Sequence, residues 1–421
     1  MTEHIQITTL DNGLKVATDF MPESNSVSLG IYVNTGTRDE TIPEKGISHL
    51  LEHMAFKGTE TRSAKDIAIS MDEVGGHMNA YTTRETTAYY TKVLPKDVPL
   101  SVDILSDILQ FSTFTEEDIL KEKSVVIQEI GQTLDTPDDY VFDLFQETAF
   151  PNQPMGWSIL GSVDSVNALT RHDITHYMKN HYAADNMIVT AAGNINHDVF
   201  LDQIQNRFKN LKSFPRPISE KANYKGGYHL LKKDHEQSHL LFGFQGIQAD
   251  ADEFYTLALY STILGGGMSS RLFQTIREKH GLVYSIYSFS STYSDIGVFG
   301  IYAGTGPKDV KKLMPLLSEE LFLSTQNIQD IELERAKNQL KASLIMSRES
   351  TNARSEQLAQ NLLVMKRHIS MEEIIAEVDK VTIQDIMKLA KNILSTPLTF
   401  TALGAIEHVE DYDKIQERLK F

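Results

Sequence analysis

The 421-residue chain contains no cysteine. Disulfides, thiolate zinc sites and a cysteine nucleophile are all excluded, while the compartment stays open. No apolar run approaches the roughly 18 residues that a membrane-crossing helix needs. The opening MTEHIQITTLDNG has no basic segment followed by an apolar core and no arginine-rich stretch. Neither a secretory signal nor an import sequence is expected there, and the expected location is the cytoplasm. Basic residues are in deficit, with 40 Lys and Arg against 57 Asp and Glu, a net charge of -17. A general nucleic-acid binder needs the opposite balance, because its affinity comes largely from phosphate neutralisation. An acidic field favours Lys/Arg-rich peptides at long range, although plain solubility accounts for the charge as well. Hydrophobic content of 41% and charged content of 23% are ordinary for a soluble globular protein, and the length implies two or more domains.

What is present is organised around His49-Leu50-Leu51-Glu52-His53. Residues four apart on a helix lie one above the other, so His49 and His53 offer two imidazoles to one point. Such a pair suits a borderline-soft ion such as zinc. Glu52 projects beside them, where a carboxylate can take a proton from water at the metal. This is H-x-x-E-H, the inverted form of the H-E-x-x-H zinc-hydrolase signature. A chain with 14 His can produce the pentapeptide by chance as two packed or solvated histidines, so the surrounding pattern has to decide.

Residues 5–20 read as a hairpin turned by Asp11-Asn12-Gly13, and Val27 to Asn34 as another strand. The motif helix is expected from Ile47 to Lys57, stopped by Gly58. Ser63-x-x-Asp66 and Thr115-x-x-Asp118 are capping-box candidates, opening helices to about Val74 and Ile130. Between them, His77 to Thr83 and Ala88 to Leu94 read as paired strands. Glu122 and Glu129 stand seven apart on the later helix, close to two turns, and therefore share a face. A helix near 172–180 and a strand at Met187 to Ala192 close this half. Residues 213–227, rich in Pro, Gly and charge, have linker composition.

The second half repeats the first. SHLLFGFQ at 238–245 parallels Val27 to Asn34, Phe254 to Leu264 takes the place of the motif helix, and SRLFQTIR at 270–277 parallels the helix ending at Val74. Gly281 matches Gly76, 205 positions earlier. The same shift carries His49, Glu52 and His53 onto Phe254, Leu257 and Ala258, so a duplication with one metal site is expected. The domains expected are 1–212 with the metal, a linker at 213–227, and 228–421 without it.

HLLEH at 49–53, GGHMNAYTT at 75–83, a Glu 76 positions beyond the second His, and GGGMSSRLFQTIREKHGLVYS at 265–285 together resemble the pitrilysin-type inverted zincins. The chain is most similar to bacterial relatives of the mitochondrial processing peptidase β subunit, over nearly its whole length. The resemblance implies an α+β fold of two homologous domains, each a mostly antiparallel sheet with helices packed on one face. It implies Zn2+ held by His49, His53 and Glu129, with Glu52 as general base. Glu122 is given a supporting role beside the ligands. Asn79 and Ala80 lie on an edge strand that pairs with extended substrate. Arg277 and Tyr284, seven apart, would donate to the developing oxyanion. The implied activity is endopeptidase cleavage of extended peptides or unfolded segments held in an enclosed chamber, basic ones being favoured by charge. A homodimer is implied, with a homologous subunit as the other candidate partner.

Three other readings compete. A catalytically silent scaffold or peptide-binding subunit of the same family would keep the fold without the reaction. An S-ribosylhomocysteine-type lyase also uses an inverted His motif but needs a cysteine, absent here. A module with purely structural zinc would fill the fourth metal position with protein.

Overall fold

The computed structural model describes residues 4–420. The first half runs β1 (Ile5–Thr9), β2 (Lys15–Phe20), β3 (Val27–Val33), α1 (Ile47–Met54), α2 (Ala64–Glu73), β4 (His77–Thr82), β5 (Thr87–Val93), α3 (Val98–Phe111), α4 (Glu116–Asp135), α5 (Pro137–Ala149), α6 (Val163–Ala168), α7 (Arg171–His181), β6 (Met187–Gly193) and α8 (His197–Phe208). The second runs β7 (Gly227–Lys232), β8 (Ser238–Gly246), α9 (Phe254–Gly265), a π-helix (Phe273–Lys279), β9 (Val283–Thr292), β10 (Gly297–Thr305), α10 (Val310–Ser324), α11 (Asp330–Ser347), α12 (Thr351–Val364), α13 (Met371–Lys380), α14 (Ile383–Leu394), β11 (Thr399–Gly404) and α15 (Tyr412–Arg418). Among the described residues no helix is long and apolar enough to cross a membrane.

The fold is α+β, with two mostly antiparallel sheets. Their orders are β1-β2-β6-β3-β5-β4 and β7-β11-β8-β10-β9. From β2 and β7 onward the two match strand for strand: one parallel pair (β2–β6, β7–β11), then antiparallel neighbours to the edge. The same Pro-Lys-Asp turn precedes both α3 and α10. The duplication read from short segments thus extends through each sheet.

The chain forms two compact units, and they are not separated by a single cut. The first holds residues 4–131, 157–220 and 346–370; the second holds 132–156, 221–345 and 371–420. In the first, Leu29, Ile31 and Val33 point to one face of β3, into a core with α1, α3, α7 and α8. Tyr32 points to the other face, where with Ala17 and Ile188 it meets Leu358, Ala359 and Leu362 of α12. This is where the structure adds to the expected architecture: helices cover both faces of the sheet, the second through a helix from the far end of the chain. The cover is fastened by a buried ion pair, Arg354 Nε to Asp19 Oδ2 at 2.5 Å. The second unit repeats this arrangement. Phe145 and its neighbours on α5 pack with Leu241, Val298 and Leu403. A Cβ at Gly243 would lie 2.2 Å from the Phe145 ring, so the close seat of α5 on β8 needs glycine there. Tyr260 of α9 meets Phe299 of β10 with ring centroids 5.0 Å apart.

Several boundaries differ from expectation. α1 ends at Met54 rather than Lys57. α4 continues past Ile130 to Asp135, and Gly131 does not adopt the left-handed conformation that would end the helix there. The 270–277 helix winds as a π-helix from Phe273. Part of the expected linker is strapped to the first unit: Arg216 and Ser219 reach Asp39, and Arg38 donates to the carbonyl of Glu220.

Candidate metal centre

Ile47, Leu50, Leu51 and Met54 form the buried stripe of α1, so His49, Glu52 and His53 necessarily occupy the remaining face. A helix of eight residues is too short to hold itself. It starts from Gly46 in the left-handed region (φ 86°), with no side chain to cap its free N–H groups. Glu40 supplies the cap from the preceding loop: its carboxyl oxygens accept from the backbone N–H of Gly46 and of Ser48, each at 2.9 Å. Burial pushes Glu40 up to about 8, against the pull of those N–H bonds. Ser48 Oγ is bonded at 2.8 Å to the hydroxyl of Tyr177 on α7.

α4 buries Ile119, Val126 and Ile130 in the same core and presents Glu122 and Glu129 to α1. Glu129 Oε2 lies 3.8 Å from His49 Nε2 and 3.6 Å from His53 Nε2. One donor atom from each of the three residues falls within 4.8 Å of the others. These separations are too long for hydrogen bonds and near the roughly 3.3 Å edge that tetrahedral zinc with N and O ligands would give. Burial, with the neighbouring His53, holds His49 down to about 4, so its imidazole is neutral and can donate a lone pair at physiological pH. His49 Nδ1 is buried without a hydrogen-bond partner, whereas His53 Nδ1 lies 3.2 Å from Glu122 Oε2. Glu122 is itself buried and pairs with Lys57 Nζ at 2.8 Å. The donor set and the neutral imidazole fit a divalent metal.

Glu52 is half-buried, and burial raises its carboxyl above the ordinary range. Its Oε2 accepts from Thr82 Oγ1 at 2.6 Å. Thr82 ends β4, the edge strand of the first sheet. Asn79 and Ala80 stand on that strand opposite Tyr90 and Tyr89, and Asn79 Oδ1 accepts from the backbone N–H of Ala80 at 2.9 Å. The first unit thus contains His49, Glu52, His53, Asn79, Ala80, Glu122 and Glu129. Arg277 and Tyr284 belong to the second. Arg277 lies on the π-helix with its guanidinium 4.7 Å from the Phe273 ring centre, and Tyr284 is 65% exposed on β9.

Residues 15–163 match the family description "Insulinase (Peptidase family M16)", and residues 168–340 match "Peptidase M16 inactive domain". A protein from Rickettsia felis named "Uncharacterized zinc protease" is 40% identical over 405 residues, covering 96% of this chain and 98% of its own length. A Bacillus subtilis protein named as a zinc protease is 38% identical over 92% of this chain and 95% of its own. The chain belongs to peptidase family M16. Among solved structures, a protease from Helicobacter pylori matches this M16 chain with TM-score 0.88 at 23% identity, covering 96% of this chain and 99% of that one. A chain of complex III from Candida albicans matches with TM-score 0.87 at 21% identity, over 98% and 99%. At these identities the likeness speaks for the fold alone.

Two residues of the M16 site had no role in the sequence reading. Glu40 had one usable signal: a helix that opens on glycine leaves its first-turn donors to be capped from elsewhere, and an acidic residue stands in the loop before it. Thr82 stood inside the GGHMNAYTT segment and its strand, but its role was not legible there, because its contact with Glu52 spans 30 positions.

Proposed function

We propose that this M16 chain is a zinc-dependent endopeptidase of the processing-peptidase kind, acting on extended peptides or unfolded segments. The observation that carries the reading is the convergence of His49, His53 and Glu129 donors beside a raised, partly buried Glu52. These three residues would hold the metal. When bound, zinc supplies Lewis-acid polarisation of the scissile carbonyl and lowers the pKa of water beside it. With Nδ1–H of His53 donated to Glu122, the Nε2 lone pair is directed toward Glu129 and the shared metal position. Glu52, made more basic by burial, takes the proton from the attacking water on its carboxylate and delivers it to the leaving amine. The free edge of β4, with Asn79 and Ala80, offers backbone donors and acceptors to a substrate strand, which supports the reading of an extended substrate. Arg277 and Tyr284 carry groups able to donate to the developing oxyanion, and they are proposed for that role on this chemistry.

The test is cleavage of internally quenched peptides by zinc-loaded protein, with and without chelator, alongside Glu52→Gln. Loss of the general base should lower kcat by about 10²–10⁴-fold while zinc stays bound. A Glu52→Gln protein that cleaves as fast as the parent would overturn the assignment of Glu52 as base, and a zinc-loaded parent that cleaves nothing would place the chain with the silent scaffolds instead.

A further inference from the structure

We propose that Thr82 is the positioning residue of the general base, an inference that rests on the reading of Glu52 above. The strand alternation sets the geometry. Met78 and Ala80 face the core shared with α1, and Thr82 falls on the same side. Asn79 and Tyr81 take the other side, where the Tyr81 hydroxyl donates to Glu356 at 2.8 Å. Thr82 Oγ1 therefore meets Glu52 Oε2, at 2.6 Å, the short distance of a hydroxyl donating to a charged carboxylate. Threonine is branched at Cβ and has few χ1 choices, so the backbone of β4 fixes where the hydroxyl points.

The hold matters because of where Glu52 stands. It lies between the two histidines in sequence and is itself a competent zinc ligand, yet the three-donor cluster among the described residues contains Glu129 and not Glu52. With Oε2 taken by Thr82, Glu52 is kept out of that cluster and Oε1 remains to accept a proton from water. The base is thereby tied to the strand proposed to receive substrate, so one element sets both the peptide register and the orientation of the group that starts its hydrolysis.

Thr82→Val preserves shape and removes the donor; Thr82→Ser preserves the donor. Both would be measured as zinc-loaded protein with quenched peptides, together with zinc affinity by chelator competition and thermal unfolding. Thr82→Val should lose about 10–100-fold in kcat, with KM nearly unchanged and zinc affinity equal to the parent or tighter. Thr82→Ser should recover most of the loss. The inference is overturned if Thr82→Val keeps full kcat, if serine does not rescue, or if Thr82→Val weakens zinc binding along with thermal stability, the signature of a merely structural residue. Parent protein that binds zinc and cleaves nothing would overturn the function reading and this one with it. Glu52→Gln inactivity beside fully active Thr82→Val would overturn this one alone.

Discussion

Glu122 shows how far one side chain's role depends on its surroundings. A carboxylate two turns from another on a helix is ordinarily a solvated stripe, but this one is buried between His53 Nδ1 and Lys57 Nζ. Its hydrogen bond selects the His53 tautomer that leaves Nε2 free. Glu122→Gln should therefore weaken zinc binding by about 10–100-fold, measured by chelator competition, with little change in the fold. Unchanged affinity would reduce Glu122 to a partner of Lys57. Glu40 offers a different test. Its carboxyl, raised by burial to about 8 from an ordinary 4.5, binds its proton more tightly folded than unfolded. Its contribution to stability is complete below about 4.5 and is lost as pH rises toward 8, a change of several kcal/mol in order of magnitude. Glu40→Gln should flatten the fall in melting temperature between pH 5 and 8, at the general cost of about 1–3 kcal/mol for one unmet backbone donor. An unchanged pH slope would show that Glu40 is ionised in the folded protein across that range.

At the scale of elements, legibility followed range in sequence. α1, α2, β4 and β5 could be read because their signals lie within a few residues: apolar spacing, a Ser63–Asp66 capping box, a glycine pair. The approach of Glu129 to the histidines was available only through family resemblance, since no periodicity links 53 to 129. The covering of the second sheet faces by α12 and α5 could not be read at all. An amphipathic helix shows that it has a buried face but not which sheet that face meets, and Arg354 finds Asp19 across 335 positions. That pair is also the element's weak point. Removing one partner leaves an unpaired buried charge, so Asp19→Ala should destabilise the first unit by about 3–5 kcal/mol in denaturant unfolding. Asp19→Leu combined with Arg354→Met should restore most of the loss, because both charges then leave together. If the single substitution is neutral, α12 is held by its apolar contacts and by the hydroxyl hydrogen bonds of Thr351 and Ser355 to Ser28 and Thr190.

At the scale of the whole chain, two matching sheets carry unequal chemistry. Where α1 turns two imidazoles and a carboxylate away from the core, α9 buries Leu257, Leu259, Tyr260, Ile263 and Leu264 and has no donor set to offer. One copy of the duplicated unit is thus free to diverge toward binding, and the substrate preference has to come from features outside the metal site. The net charge of -17 is one such feature. A field of that sign raises the encounter rate of Lys/Arg-rich peptides and is screened over about 10 Å at 0.1 M salt. If it acts on catalysis, kcat/KM for a basic peptide should exceed that for a neutral one of equal length at low ionic strength. The advantage, about tenfold or more, should shrink steadily toward 0.5 M salt while the neutral peptide changes little. A basic preference that survives high salt would instead come from close contacts with particular carboxylates, which screening cannot reach. Equal rates at every salt concentration would leave the acidic surface with solubility as its only consequence.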